Sequence, residues 1–507
     1  MASRDLEQAL TSLDAMEARR YALRYALVSA EWLAETADPE KAAPGRGEAV
    51  AGLEEMDREV LCGAEMGAAL DVLDAHREEL GYKDAARLRV LGRDRSEQTR
   101  IPNELAGAMS RAVNDATMAW RRAKRDNDWG VFAPHLDAVV ALCRRQAACL
   151  DPGRDPYDVL LDLYEPGCDQ AFYDRFFERV RACVVPLVER VAAAPQLSRS
   201  CVTGAFDPER QWALARDLAL FEGVDPEKLV MGRTEHPFSD GIDSGHVFIA
   251  THIYEDDVLS NVFSVLHEGG HAMYEAGVDP EFDRTCLAGG TSMGMHEAQS
   301  RFFENYVGRS RAFAGPLLAA VASHFPEKLA GVTAEDLYRA ENRVEPSLVR
   351  TEADELTYPL HVMVRYEVEK GLLSGKLAAA DVPAAWGRLY REYLGVEVPD
   401  DRRGALQDIH WSQASIGYFP TYALGGAYGA QLLHAMTTDL EAAGRGFDEV
   451  LASGDLAPVR AWLGDRVWRW GRSKEPRPIV EEACGEPFDP GYYCDYLERK
   501  FGELYGL

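Results

Sequence analysis

Apolar residues recur at three- and four-residue spacing through most of this chain, and one segment breaks the rule. In "GHVFIATHIYED" (Gly245–Asp256), Val247, Ile249, Thr251 and Ile253 alternate on one side. A period near 3.6 marks helix faces, and a period of two marks a strand. The first long run, Asp5–Ala37, carries the helical period, which returns over about 50–79, 101–125, 130–150 and 169–195. Pro44, Gly45 and Gly47 break the stretch after the first run, and "CLDPGRDPYD" (Cys149–Asp158) reads as a turn-rich joint. The pattern predicts a mainly α protein with one small β-sheet near the middle. Residues 1–200 read as a helical region and residues 201–507 as the region carrying the chemistry, within one continuous fold.

The chain has 507 residues and a formal net charge of −29. Nucleic acids and anionic membranes attract basic surfaces, so this balance argues against both as partners. No stretch is an uninterrupted apolar run of the roughly 18 residues that a membrane helix needs. The opening "MASRDLEQAL" has no basic start followed by an apolar run, so no secretory signal is expected. The nine cysteines are odd in number and form no CxxC pair, which points to reduced thiols and a cytoplasmic location.

"SVLHEGGHAMYE" (Ser264–Glu275) holds the densest chemistry. It lies in "DDVLSNVFSVLHEGGHAMYEAG", predicted as one helix capped by Asp256 or Asp257 and ended by Gly277. Helix residues four apart share a face, so His267 and His271 present two imidazoles to one cation. Glu268, offset around the helix, is placed to act on water rather than to ligate. This is the H-E-x-x-H pattern of zinc peptidases. Six of the twelve histidines (His236, His246, His252, His267, His271 and His296) fall within one short stretch, a concentration that a packed core does not need. "TSMGMHEAQSRFFENYVG" (Thr291–Gly308) predicts a second helix bearing His296 and Glu297. A catalytic zinc takes three protein ligands and keeps one position open. Glu297, 26 residues after His271, is the expected third ligand, with His296 its competitor. Neighbouring helix residues point about 100° apart, so both do not bind one ion.

Other motifs follow in order: "HPF" (His236–Phe238), "HEGGH" (His267–His271), "HEAQ" (His296–Gln299), "VRTEADELTYPLH" (Val349–His361), "GALQDIHW" (Gly404–Trp411) and "GYFPTYALG" (Gly417–Gly425). In this series the chain resembles the thermostable metallocarboxypeptidase family typified by carboxypeptidase Taq. The resemblance implies a largely helical fold with a long groove. The metal-bearing helix would floor that groove, and helices of the first 200 residues would line one wall. It also implies removal of the last residue of peptides, one Zn2+ per chain with Co2+ as the alternative, and a homodimer. The chain departs from the family pattern where a D-x-R-x-T segment would stand. There His246-Val247-Phe248-Ile249-Ala250 puts Phe248 in the arginine's place, His252 replaces a later arginine, and Ala298 replaces the serine or glycine of H-E-S-Q.

Roles follow as expectations. His267, His271 and Glu297 hold the metal, and Glu268 takes a proton from the attacking water and passes it to the leaving amine. An oxyanion needs further donors, and the resemblance points to His410, Tyr418 and Tyr422 without choosing between the tyrosines. Arg350 is the candidate for the substrate's free carboxylate, which its planar fork matches. His236 is expected to orient substrate or a loop. Glu352, Asp354, Glu355 and Asp408 are candidates for fixing the metal histidines. Gly245–Tyr254 is expected to run beside an extended substrate as an edge strand. The leading reading is a metal-dependent carboxypeptidase. An oligopeptidase or endopeptidase of the same fold is one alternative, and a weakly active peptide-binding homologue is another.

Overall fold

A computed structural model describes residues 4–37 and 42–507. Helix follows helix from the start: α1 (Arg4–Thr36), α2 (Ala43–Cys62), α3 (Ala64–Ala75), α4 (Tyr82–Arg100), α5 (Asn103–Asp126), α6 (Trp129–Leu150), α7 (Pro156–Tyr164), α8 (Gln170–Ala193) and α9 (Pro208–Glu222). Three strands come next, β1 (Leu229–Arg233), β2 (Phe238–Asp243) and β3 (His246–Thr251). The rest is again helical: α10 (Val258–Ala276), α11 (Met293–Arg301), α12 (Ala314–His324), α13 (Ala334–Glu341), α14 (Tyr358–Ser374), α15 (Val382–Leu394), α16 (Pro420–Ala442), α17 (Phe447–Ser453), α18 (Ala457–Arg466), α19 (Pro476–Cys484) and α20 (Gly491–Tyr505). The fold is mainly α with one small sheet, as the periodicity predicts.

The runs 101–125, 130–150 and 169–195 match α5, α6 and α8 to within two residues at each end. Pro186 inside α8 removes a backbone donor, yet the buried row Phe176, Phe177, Val180, Val184, Leu187 and Val191 keeps the helix intact. Pro44, Gly45 and Gly47 do not separate two helices but begin α2, where a proline loses no hydrogen bond. The run 50–79 divides at the extended Gly63. Helix α4 has no counterpart among the predicted runs. Its inner face includes Arg87, which bonds Asp14, Glu17 and Asp84, so it shows no plain apolar stripe.

The strand order is β1-β3-β2, with β1 parallel and β2 antiparallel to β3. The expected edge strand is therefore the central one, paired from Leu229↔Val247 on one side and from Phe238↔Ala250 on the other. Side-chain alternation shows which face is buried but says nothing about which edges are paired. Val247 and Ile249 join the main core with Val262, Val265 and Leu266 of α10. On the opposite face Phe248 packs with Val28, Ile242 and the ring of Trp32, 5.0 Å away. Phe248 thus fills the seam between the sheet and α1. The main core runs from Ala116 to Tyr505, and a second cluster gathers Leu6, Leu13, Met66, Leu73 and Leu91 of the first four helices. Among the described residues, no helix is long and apolar enough to cross a membrane.

Candidate active site

Asp257 caps α10 by accepting from the Ser260 amide at 3.2 Å, and Gly277 closes it. A β-carbon at Gly270 would lie 2.5 Å from the Gln299 carbonyl oxygen, so the absence of a side chain lets α11 press against α10. Gly425 of α16 does the same from the other side, where a β-carbon would meet that of Glu297 at 2.6 Å. This close approach brings His267, His271 and Glu297 together, with one ligand atom from each lying within 4.8 Å of the others. Nε2 of each histidine is 3.8 Å from Glu297 Oε2. A tetrahedral ion with bonds of about 2.0–2.1 Å sets its donors roughly 3.3 Å apart. Each histidine needs to approach Glu297 by only about half an ångström, and two imidazoles and a carboxylate suit a divalent metal. Glu268 lies outside the cluster, with Ser239 of β2 beside it.

Each side chain of the cluster is itself oriented. His267 Nδ1 is 2.9 Å from Glu304 Oε2, in a wide π-helical turn (Phe302–Gly308) that continues α11. Arg301 donates to both acids, through Nε to Glu297 at 2.8 Å and through Nη1 to Glu304 at 2.9 Å. Burial alone raises Glu304, but Arg301 and His267 outweigh it and hold this carboxyl well below its usual range. His271 Nδ1 lies 2.9 Å from His296 Nδ1, whose Nε2 is 2.6 Å from Glu275 Oε1. With His271 Nε2 facing the cluster, its Nδ1–H donates to His296, which donates in turn to Glu275. His296 therefore stands behind His271, outside the cluster. Burial and His296 hold His271 well below the ordinary imidazole range, so it is neutral. Burial lowers His267 too, but Glu297 and Glu304 win and raise it. A proton is attracted to the place where a cation would sit.

The acids expected to fix these histidines do other work. Asp354 accepts from the amides of Leu356 and Thr357, Glu355 from Lys500, and Asp408 from two arginines, while Glu352 lies by Thr351. Glu304 and Glu275 take their place. Both carried a signal, since Glu297, Arg301 and Glu304 stand at i, i+4 and i+7, and Glu275 stands four residues after His271.

The facing side is aromatic. His410 stacks on Tyr418 with ring centroids 5.7 Å apart, and its Nε2 is 3.3 Å from the Tyr422 hydroxyl. Tyr418 and Tyr422 lie edge to face with ring centroids 5.0 Å apart, and Tyr164 of α7 packs on Tyr418 at 5.2 Å. Burial and then Arg350 push His410 down to about 4, so it is neutral. Arg350 is only 7% exposed. Its Nε and Nη2 donate to Asp408 Oδ1 at 3.1 and 3.0 Å, and its Nη1 donates to Tyr358 at 3.0 Å. Arg365 Nε donates to the other oxygen of Asp408 at 2.7 Å. One carboxylate between two guanidiniums leaves a net positive charge in this buried corner. Tyr358 joins the two sides, because Arg301 lies over its ring at 4.1 Å while its hydroxyl accepts from Arg350. Nothing in the sequence singled out Tyr358. His236 is exposed in the turn between β1 and β2, near His252, which bonds Ser260 at the start of α10.

Two imidazoles and a carboxylate converging on one point, with an acid held just outside them, mark a metallohydrolase site. Comparison with known proteins narrows that class. The pattern of the carboxypeptidase Taq (M32) metallopeptidase family matches residues 12–501, and the chain belongs to this family. It is 34% identical over 477 residues to carboxypeptidase 1 of Bacillus subtilis (strain 168), covering 94% of each chain. It is 37% identical over 416 residues to thermostable carboxypeptidase 1 of Thermus thermophilus, covering 80% of this chain and 81% of that one. The solved M32 carboxypeptidase of Deinococcus radiodurans R1 superposes with a TM-score of 0.95 at 36% identity, over 99% of this chain and 100% of that one. The chain is a metallocarboxypeptidase, a peptide hydrolase that uses a divalent metal.

Proposed function

We propose that Zn2+, with Co2+ as the alternative, is held by His267, His271 and Glu297, and that the chain releases the C-terminal residue of peptides. The observation that carries the metal assignment is the convergence of the three ligand atoms within 4.8 Å. When bound, such a metal activates water and polarises the scissile carbonyl. Glu268 accepts the proton from that water on its carboxylate and delivers it to the leaving nitrogen. Burial raises Glu268 above the ordinary carboxylate range, which suits a group that must both take and give a proton. On the facing side, His410 Nε2 meets the Tyr422 hydroxyl, and the Tyr418 hydroxyl beside them donates to the developing oxyanion.

Arg350 anchors the free carboxylate. Its bonds to Asp408 and Tyr358 leave one N–H on each terminal nitrogen, and the surplus positive charge shared with Arg365 suits an anion. His236 orients the incoming peptide. Strand β2 has an unpaired edge and carries Ser239 against Glu268, so the pairing role expected of β3 passes to β2. Helices of the first 200 residues form one wall. Support comes from α1, tied to β2 through Tyr21–Asp243 and Arg24–Gly241, and from Tyr164 on Tyr418. A homodimer in the cytoplasm completes the reading. It is supported by the family resemblance and nine unpaired thiols, and light scattering tests the assembly.

Metal analysis, with one incubation of a free-ended peptide beside its amidated twin, tests the proposal. The expected result is one metal per chain and loss of the last residue from the free-ended peptide alone. Equal cleavage of both would favour the endopeptidase reading, and metal without turnover would favour a peptide-binding protein.

A further inference from the structure

Glu369, in α14, has no exposed surface, and among the described residues no cation is bonded to it. Its Oε1 accepts from the indole N–H of Trp411 at 2.8 Å. Its Oε2 accepts from the Tyr157 hydroxyl at 2.8 Å and from the Gly417 amide at 2.9 Å. A buried acid without a counter-ion is costly, and an apolar residue of the same size would avoid the cost. All three contacts are donors, which suits a carboxylate and nothing else of that shape. Two of the donors belong to one loop. Trp411 follows His410 directly, and Gly417 directly precedes Tyr418. The loop is tight at its second end. Gly417 has φ +96°, and a β-carbon there would sit 2.9 Å from the backbone of Leu160 in α7.

We propose that Glu369 is a positioning residue that fixes both ends of the 411–417 loop, through Trp411 and Gly417, and thereby sets His410 and Tyr418 in register with each other. The inference rests on the reading of His410 and Tyr418 given above. Glutamine has the same shape but one acceptor fewer, and its amide group would face a donor, either the indole of Trp411 or the amide of Gly417.

The test compares Glu369→Gln with the parent enzyme, measuring metal content, melting temperature, kcat and KM on a free-ended peptide. A displacement near 1 Å at the reacting groups costs up to about a hundredfold, so kcat should fall roughly ten- to a hundredfold. KM should change little, and one metal per chain should remain, because the ligands lie on α10 and α11. Should this variant fail to fold, Trp411→Phe cuts one tie and leaves the acid in place, and its kcat should fall in the same way with the metal kept. Full kcat in folded, metal-loaded Glu369→Gln, with only the melting temperature lowered, would overturn the proposal and leave a purely structural brace. His410→Gln and Tyr418→Phe are read alongside. If both keep full kcat, the reading of the site fails and the inference falls with it.

Discussion

On the metal side of the site, Glu297, Arg301 and Glu304 lie within eight residues of sequence, and His267 and His271 are one helical turn apart. Charged side chains close in the chain hold them: Arg301 on Glu297, Glu304 on His267, and Glu275 behind His296 on His271. The facing side is assembled from afar. Arg350 meets Asp408 58 residues away, and Glu369 takes donors 42 and 48 residues away. The first arrangement needs two packed helices, whereas the second needs most of the fold. Damage to the metal side should therefore appear first as lost metal, and damage to the facing side as lost turnover with the metal in place.

The largest expected effect cuts across that division. Glu268 stands in the metal helix yet outside the ligand cluster, so Glu268→Gln should keep its metal and lose about 10²–10⁴ in rate. If that variant kept most of its activity, or lost its metal, the division would be drawn in the wrong place. Next comes Glu304, whose bond orients His267. Glu304→Gln should weaken metal affinity by about 10- to 100-fold, read by competition with a chelator. Unchanged affinity would mean that the surroundings of His267 do not matter.

On the facing side, Arg350→Ala should raise KM for free-ended peptides by about one to two powers of ten, the worth of a charged contact of roughly 1.5–3 kcal/mol. Peptides with an amidated end should hardly notice. Because Arg350 also braces Asp408, the experiment has a built-in alternative, and equal losses on both peptides would reduce Arg350 to that brace.

The smallest effect lies away from both sides. Glu341 at the end of α13 is buried, and neither carboxylate oxygen has a hydrogen-bond partner among the described residues. Burial, only partly offset by Arg309 and Lys500, pushes its carboxyl up to about 8. The folded-state value lies above the unfolded one, so the stability it contributes is present at low pH and is lost as pH rises through about 8. Glu341→Gln should flatten the fall in melting temperature between about pH 5 and 9. An unchanged slope would show that this acid ionises freely.

The same contrast explains what could be read from the sequence. Helix α10, its cap and the shared face of His267 and His271 were legible because spacing along one helix is local information. Glu304 and Glu275 stand at helical spacings from Glu297 and His271, so their contacts are local information too. One strand of three was foreseen. β1 and β2 are half-buried, each carries a glycine, and neither alternates cleanly. Helix α4 escaped because its buried face includes Arg87. Phe248, which stands where the resemblance puts an arginine, packs against Trp32 of α1, a contact that spacing along the chain does not announce. The partners of Arg350, Tyr358 and Glu369 come from contacts that no local period announces.

Mass spectrometry of one free-ended peptide over time tests the central claim most directly, with the enzyme stripped by a chelator and then given back Zn2+. The account predicts no products after stripping, and after metal return a ladder of species each shorter by one residue at the C-terminus. Internal fragments from the earliest time point, or an undiminished ladder from the stripped enzyme, would contradict it.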